Sequence, residues 1–200
     1  MQLKLMMAVA CLATVLTGPV FAVEPGQKLD NFRLLDHRGQ PHALYDLANK
    51  KAVVIMVQGN GCPIVRQALP ALSEVRAKYR EQGVEFLLLN SNLQDKRDLV
   101  AKEADEFKID FPILVDEKQH VGEALGVVRT SEVFVIEPKS WKVAYRGPMD
   151  DRLSYERQRP AQHHYLTDAL DAVVAGQPVK TPKADGVGCL VNFPERQRKS

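Results

Sequence analysis

The stretch KAVVIMVQGNGCPIVRQALPAL, residues 51–72, decides the fold. An unbroken apolar run from Ala52 to Val57 predicts a central strand that is buried on both faces. The next four residues, 58–61, are typical of a turn, because their two glycines adopt backbone angles that other residues resist. Pro63 favours the first turn of a helix, and apolar residues then recur at helical spacing: Ile64, Ala68, Leu72, Val75 and Tyr79. Cys62 is therefore predicted to lie where a strand ends and a helix begins.

The chemistry predicted for Cys62 depends on the pKa of its thiol. The thiolate is the nucleophile, and a helix N-terminus lowers a cysteine pKa from ~8.5 into a range of ~3.5–7.5. The helix dipole alone supplies roughly 0.3–1 kcal/mol, which is less than one pKa unit. A deeper shift needs N–H donors or a cation, and Arg66, one turn along the same helix, is the candidate cation. The alternative is an inert cysteine that packs as a small hydrophobe.

The same stretch resembles the active-site segment of thioredoxin-like proteins. Their pattern is an apolar strand, Trp-Cys-x-x-Cys, a basic residue and a proline in mid-helix. Cys62 matches the attacking cysteine, Arg66 the basic residue and Pro70 the proline. Over roughly residues 23–176, the chain resembles periplasmic thiol-disulfide oxidoreductases and the alkyl hydroperoxide reductase/thiol-specific antioxidant, or redoxin, branch. The resemblance implies a thioredoxin-like fold and thiol chemistry at Cys62.

Departures from these patterns bear on the reaction. Val65 stands in place of the second cysteine, and Gly61 in place of the tryptophan. The peroxiredoxin pattern P-x-x-x-T-x-x-C is not met either, since Ile55 and Gly59 occupy its Pro and Thr positions. The resemblance therefore implies that Cys62 attacks a disulfide or a peroxide, with disulfide chemistry favoured. The expected partner is a protein disulfide or thiol, or a small peroxide.

Residues 1–22 are typical of a secretory signal peptide. Lys4 precedes an apolar run over 5–17, and small residues lead to a cleavage site after Ala22. The run is too short to span a membrane as a mature helix, so no stable membrane insertion is expected after cleavage. The alternative, a lipoprotein with Cys11 lipidated, needs a longer apolar segment before it. We therefore expect a periplasmic or secreted protein.

Composition limits the class of partner. The net charge of +2 gives no reason to expect nucleic acid or a membrane surface as partner. Of the 3 cysteines, Cys11 would be lost with the signal peptide, leaving Cys62 and Cys189 in an oxidising compartment. The sequence contains no internal repeat, phosphate-binding loop or zinc-type cysteine cluster. We therefore expect no cofactor and no metal.

Strands and helices alternate along the rest of the chain. The active-site helix is predicted over 63–82. Further strands are predicted over 32–36, 84–89 and 111–115, helices over 95–107 and 117–125, a hairpin over 132–137 and 142–146, and a closing helix over 165–174. This order predicts a three-layer α/β/α architecture, and it is the order of the thioredoxin fold with an inserted strand and helix. The domain is expected to span 23–176, with a C-terminal tail over 177–200.

The resemblance places the loop 126–132 opposite Cys62, with Ser131 where relatives carry a cis-proline. We expect a trans peptide bond before Ser131, and we expect the fold to accept Ser131→Pro. Arg129 and Thr130 are candidates to supply a cation and a hydroxyl to Cys62. The alternative is a solvated arginine and a turn threonine. Glu132 is a weaker candidate for proton transfer.

Cys189 lies in a tail whose apolar residues 190, 191 and 193 suggest that it docks onto the domain. Three roles stay open: resolving cysteine for Cys62, metal ligand, or unrelated thiol. Since the mature chain holds no other thiol, we predict that the two cysteines are redox partners. The alternative function is a redox-inert binding or copper-carrier domain on a thioredoxin fold, in which His163 or His164 joins the two thiols around Cu(I). Solvated histidines are the preferred interpretation.

Overall fold

The computed structural model describes residues 22–155 and 159–194. The predicted signal peptide, except for Ala22, and residues 195–200 of the predicted tail lie outside the described residues. Within the described ranges, no helix combines the length and the apolar character that crossing a membrane requires.

The elements follow one another in the alternating order that the sequence predicts. The strands are β1 (Arg33–Leu35), β2 (Pro41–Ala43), β3 (Ala52–Gln58), β4 (Val84–Asn90), β5 (Ile113–Val115), β6 (Val133–Glu137) and β7 (Lys142–Gly147). The α-helices are α1 (Pro63–Tyr79), α2 (Arg97–Glu106), α3 (His120–Leu125) and α4 (Tyr165–Val174). Short 3-10 helices cover Leu44–Leu47 and Arg80–Gln82.

A five-stranded mixed sheet forms the middle layer, in the order β5-β4-β3-β6-β7. Strands β3, β4 and β5 are parallel, whereas β6 runs antiparallel to β3 and β7 antiparallel to β6. Val54 in the central strand pairs with Phe86 on one side and Val135 on the other. The apolar run of β3 thus occupies the centre of the sheet, and every residue of β3 is buried, as predicted.

The alternation of side chains along β3 divides the core in two. Ala52, Val54 and Met56 face a cluster that includes residues of α1, α2 and α4. Val53, Ile55 and Val57 face a second cluster that includes α3, Leu44 and two apolar residues of the tail. Helices on both faces of one sheet make the three-layer α/β/α architecture that the sequence predicts.

Two local features differ from the sequence prediction. The antiparallel pair β1 and β2, which forms a separate two-stranded sheet, was predicted only as a single strand. The helix predicted from residue 117 begins at His120, because Gln119 adopts a left-handed backbone with φ +59°. A left-handed residue cannot belong to a right-handed helix, so it sets the start of α3.

The tail packs back on the domain along the described residues 177–194. The Arg146 N–H donates to the Pro182 carbonyl, and Val191 and Phe193 are buried in the second core cluster. The expectation that Leu190 docks is wrong, because its side chain is 70% exposed. In an extended segment neighbouring side chains point to opposite sides, so burying residue 191 turns residue 190 outward.

We predict that Leu170→Ala lowers the free energy of unfolding by about 2–5 kcal/mol. Leu170 is fully buried on α4 against the sheet, so the truncation leaves a cavity that its neighbours fill only in part. The matched control is Leu99→Ala on α2, where Leu99 is 47% exposed and a change of less than about 1 kcal/mol is expected. Urea unfolding followed by circular dichroism gives both values, and equal losses would contradict the assignment of this core.

Candidate active site

Cys62 lies at the junction that the sequence predicts, between β3 and α1. It is the N-cap residue of α1, with an extended backbone, and Pro63 follows as the first helical residue. The Arg66 N–H donates to the Cys62 carbonyl at 3.2 Å and closes the first helical turn. The side chain of Cys62 makes no capping bond, and only 4% of the residue is exposed. Its sulfur therefore faces a covered site at the start of the helix.

Two carboxylates hold the loop that precedes Cys62. The Asn60 N–H donates to Asp95 at 2.9 Å, and the Gly61 N–H donates to Glu103 on α2 at 2.7 Å. Gly61 has φ +72°, a left-handed conformation that glycine adopts without a steric cost. The loop conformation that presents the thiol is thus fixed by acceptors from the α2 segment.

Buried asparagine side chains at the end of β4 also hold the groups that fix this loop. Asn90 at the end of β4 donates to Gln58 at 2.7 Å and to Asp95 at 2.9 Å, and Asn92 donates to Asp95 at 3.0 Å. A Cβ on Gly59 would lie 2.7 Å from the amide nitrogen of Asn92 and 2.8 Å from the methyl group of Thr130. Glycine at position 59 therefore allows the loop to pack against both neighbouring segments.

The loop 126–132 brings Thr130 to Cys62, with 3.1 Å between the hydroxyl oxygen and the sulfur. The bond before the next residue, Ser131, is trans, as expected, since the described residues contain no cis peptide bond. Ser131 has φ +62°, and its N–H donates to the Val57 carbonyl at 2.7 Å. The expectation that Ser131→Pro is tolerated is therefore wrong, because proline has φ near −65° and no N–H.

The tail brings Cys189 to the same sulfur. The two Sγ atoms are 2.7 Å apart, and both cysteines are unlinked. The Thr130 N–H donates to the Cys189 carbonyl at 2.9 Å, and the Cys189 N–H donates to the Thr130 hydroxyl at 2.9 Å. The backbone on each side of Cys189 is thus tied to one residue of the facing loop.

The direction of the hydrogen bond between Thr130 and Cys62 follows from this arrangement. The Thr130 hydroxyl oxygen accepts the N–H of Cys189, so its own hydrogen is left for another acceptor. The sulfur of Cys62 lies 3.1 Å away, and as a thiolate it can only accept that hydrogen. The threonine hydroxyl therefore donates to Cys62, and it stabilises the thiolate more than the thiol.

The two thiols have opposite pKa shifts. Burial by itself raises the pKa of Cys62, but hydrogen bonds from Cys189, from Thr130 and from the backbone outweigh it and lower that pKa below its ordinary value. Burial raises the pKa of Cys189, and so does its contact with the Cys62 sulfur. When one proton is shared between them, it stays on Cys189 and leaves Cys62 as the thiolate.

The arginines that the sequence singled out have other partners. Arg66 bonds to Glu103 at 3.4 Å and lies over the ring of Phe107, so the expectation that it pairs with Cys62 is not met. Glu103 attracts Arg66 because it is a carboxylate, with a full negative charge, on the adjacent helix. Arg129 donates to the Tyr155 hydroxyl at 3.1 Å and to a tail carbonyl at 3.3 Å, so it holds the tail rather than the thiol.

The remaining candidates make structural contacts. Glu132 accepts from Arg146 at 2.7 Å, which ties the loop 126–132 to β7. The ring of His163 stacks on the ring of Tyr165 at 5.5 Å, and the backbone N–H of His163 donates to Asp151 at 3.1 Å. Among the described residues, no group of three or more His, Cys, Asp or Glu is placed to hold a metal ion. The structure thus gathers Cys62, Thr130 and Cys189 and leaves the two arginines, Arg66 and Arg129, at the periphery.

Comparison with known proteins identifies the family of this chain. Residues 25–147 match the sequence profile of the AhpC/TSA family. The chain belongs to the AhpC/TSA family. It is a thioredoxin-like redoxin, and the curated relatives that it matches are named thiol-disulfide oxidoreductases.

A curated relative and two solved structures show the extent of the similarity. The thiol-disulfide oxidoreductase ResA of Geobacillus thermodenitrificans is 33% identical over 61% of this chain and 68% of its own length. An uncharacterized conserved protein from Geobacillus kaustophilus has a TM-score of 0.75 and 30% identity, covering 84% of this chain and 92% of its own. A putative thiol:disulfide interchange protein DsbE from Chlorobium tepidum has a TM-score of 0.63 and 22% identity, covering 76% and 99%. The DsbE likeness shows the fold alone.

We predict that Thr130→Val shifts the pH dependence of Cys62 alkylation by about one pH unit or more, since one hydrogen bond to a charged acceptor is worth ~1.5–3 kcal/mol. Loss of the hydroxyl donor raises the pKa of Cys62, so the midpoint of the rate against pH moves upward. Thr130→Ser keeps the hydroxyl and should keep the midpoint. A midpoint that is the same in Thr130→Val and in the unmodified protein would contradict the role of this hydroxyl.

We predict that Ser131→Pro destabilises the fold by at least about 2 kcal/mol, because it leaves the buried Val57 carbonyl without its donor and strains the backbone. Ser131→Ala keeps the N–H and loses only the side-chain bond to the Val187 carbonyl, so a smaller loss of about 1 kcal/mol is expected. Thermal unfolding of both variants measures the difference. Equal stability of the proline variant and the parent would show that this loop rearranges freely.

Proposed function

We propose that this protein is a thiol-disulfide oxidoreductase in which Cys62 is the nucleophile and Cys189 the resolving cysteine. The observation that carries the proposal is the 2.7 Å separation of the two sulfurs, with the Thr130 hydroxyl on Cys62. The relative named ResA supports the same reaction class. With Val65 in place of a local second cysteine, the tail supplies the second thiol from a distant part of the chain.

In the first step, the Cys62 thiolate attacks one sulfur of a partner disulfide. A bond forms between Cys62 and that sulfur, and the bond between the two partner sulfurs breaks. The departing partner thiolate takes a proton from water, and Cys189 gives up its own proton to water before it attacks. Cys189 is then a thiolate at the moment when a mixed disulfide needs to be resolved.

In the second step, the Cys189 thiolate attacks the Cys62 sulfur of the mixed disulfide. The Cys62–Cys189 bond forms, and the second partner thiolate leaves and takes a proton from water. The partner disulfide is thereby reduced to two thiols, while the two cysteines of this chain are oxidised to one disulfide. A dithiol reductant restores the reduced pair, and the same steps in reverse oxidise a partner dithiol.

Peroxide reduction ranks below disulfide exchange. Gly59 stands at the threonine position of the peroxiredoxin pattern, and the Thr130 hydroxyl is already engaged with both cysteines. We further propose that the protein acts in the periplasm or is secreted, because residues 1–22 are typical of a signal peptide and disulfide exchange suits an oxidising compartment.

The test uses reduced protein and a peptide with one internal disulfide, with products separated by non-reducing mass spectrometry. The unmodified chain should reduce the peptide and recover an internal Cys62–Cys189 disulfide. Cys62→Ser should abolish reduction, a loss of at least about a thousandfold, since it removes the nucleophile. Cys189→Ser should instead accumulate the mixed disulfide between Cys62 and the peptide.

Two outcomes would contradict this proposal. The first is recovery of only intermolecular Cys62 dimers from the unmodified protein, which would exclude internal resolution. The second is consumption of hydrogen peroxide at the rate of a dedicated peroxidase with no reduction of the peptide disulfide. That result would show that the substrate is a peroxide and not a disulfide.

A further inference from the structure

The tail segment 187–193 covers Cys62 by backbone pairing. The Thr130 N–H donates to the Cys189 carbonyl at 2.9 Å, and the Val191 N–H donates to the Val128 carbonyl at 3.0 Å. Between these bonds, residues 129 and 190 form an antiparallel bridge. The Ser131 hydroxyl adds a bond to the Val187 carbonyl at 2.7 Å. The segment therefore lies along the backbone edge of residues 128–131 and pairs with it through one antiparallel bridge.

Anchors at both ends hold the segment in place. Beyond Cys189, the side-chain amide of Gln119 donates to the Asn192 carbonyl at 2.7 Å, and Phe193 is only 3% exposed. Before Cys189, the Tyr155 hydroxyl donates to the Gly188 carbonyl at 2.9 Å. Segment 187–193 is thus a docked part of the fold.

This arrangement conflicts with entry of a polypeptide. A partner disulfide must place one sulfur against Cys62, but the Cys189 sulfur already lies 2.7 Å from it, and Cys62 is 4% exposed. The backbone groups that would hold an extended partner are also taken by the tail. A partner protein reaches Cys62 only when the tail leaves this edge.

We propose that the edge of residues 128–131 is the docking site for an extended, cysteine-bearing segment of the partner protein, and that segment 187–193 is its competing internal occupant. The tail shows the chemistry that the edge accepts: an uncharged strand with a cysteine at the position facing Thr130 and an apolar residue two places later. This deepens the proposed function and rests on it.

In this arrangement, resolution of the mixed disulfide and release of the partner protein occur in the same step. While the mixed disulfide exists, the partner strand holds the edge and Cys189 is held away from Cys62. As the tail re-pairs with residues 128–131, it displaces the partner strand and brings the Cys189 thiolate to the Cys62 sulfur. The Cys62–Cys189 bond forms as the bond between Cys62 and the partner breaks, and the partner leaves as a thiolate that takes a proton from water.

Gly188 offers a way to release the tail without altering either cysteine. A Cβ at this position would collide with the backbone carbonyl of Thr130 and also press on the side chain of Arg129. Gly188→Ala therefore forces the segment off the edge. The matched control is Leu190→Ala, because Leu190 lies on the other side of Cys189 and its side chain is 70% exposed.

The experiment measures alkylation of Cys62 by iodoacetamide in the reduced full chain, with the labelled cysteine located by mass spectrometry. The rate at its alkaline limit, where the thiol is fully ionised, reports access alone. We expect that limit to rise at least about tenfold in Gly188→Ala and to stay unchanged in Leu190→Ala. Phe193→Ala, which removes the distal anchor, should also raise it, and this variant serves if Gly188→Ala fails to fold.

A peptide then tests whether the edge of residues 128–131 binds an extended segment with the sequence of the tail. The peptide has the sequence of residues 185–194 with serine at the cysteine position, and it is added to the Gly188→Ala chain. It should return the labelling rate of Cys62 toward that of the unmodified protein. The same peptide with alanine at the position of Gly188 should give no protection.

Unchanged labelling in both Gly188→Ala and Phe193→Ala, or equal protection by both peptides, would overturn the proposal. Alkylation involves no turnover, so this result is separate from the proposed reaction. If the protein reduces a peptide disulfide although its tail never leaves the edge, the proposed competition between tail and partner is rejected and the proposed oxidoreductase reaction stands. If the alkylation rate of Cys62 rises in the variants but no peptide disulfide is reduced, the competition stands and the proposed reaction is rejected.

Discussion

The hydroxyl of Thr130 joins the three parts of the site. It accepts the N–H of Cys189 and donates to the sulfur of Cys62, so the tail, the loop 126–132 and the start of α1 meet at one oxygen. A hydrogen bond to a charged group is worth ~1.5–3 kcal/mol, against roughly 0.3–1 kcal/mol for the helix dipole. Hydrogen-bond donors therefore lower the pKa of Cys62 more than the helix dipole does.

The sequence predicted the position of Cys62 because each signal there is local. An apolar run, two glycines and a proline specify a strand, a turn and a helix start, and the structure has all three. The nearness of Cys189 to Cys62 was predicted by a different argument, the number of thiols that remain after the predicted signal peptide is removed. That argument contains no geometry, so it gave neither the strand pairing of the tail nor the role of Gly188.

The rest of the site was beyond sequence reasoning because it depends on contacts between distant segments. Asp95 and Glu103 brace the loop before Cys62, yet in the sequence they are two of many charges on an amphipathic helix. Glu103 also explains why the Arg66 prediction failed, since a carboxylate on a neighbouring helix competes for the guanidinium. The left-handed backbone of Ser131 has no local signal either, because serine adopts it here only under tertiary constraint.

Cys62 and Cys189 are 127 positions apart, and the sheet and helices α1 to α4 are complete at Val174, before the tail begins. Synthesis runs from the N-terminus, so the cover of the site is the last part of the domain to be made. A chain that stopped before residue 187 would keep the sequence of the whole sheet and its helices, and with it the strand-to-helix junction at Cys62. It would lack the second thiol and the strand that shields the first. If Cys62 reacts as we propose, such a product would form mixed disulfides with other proteins and would have no second thiol to resolve them.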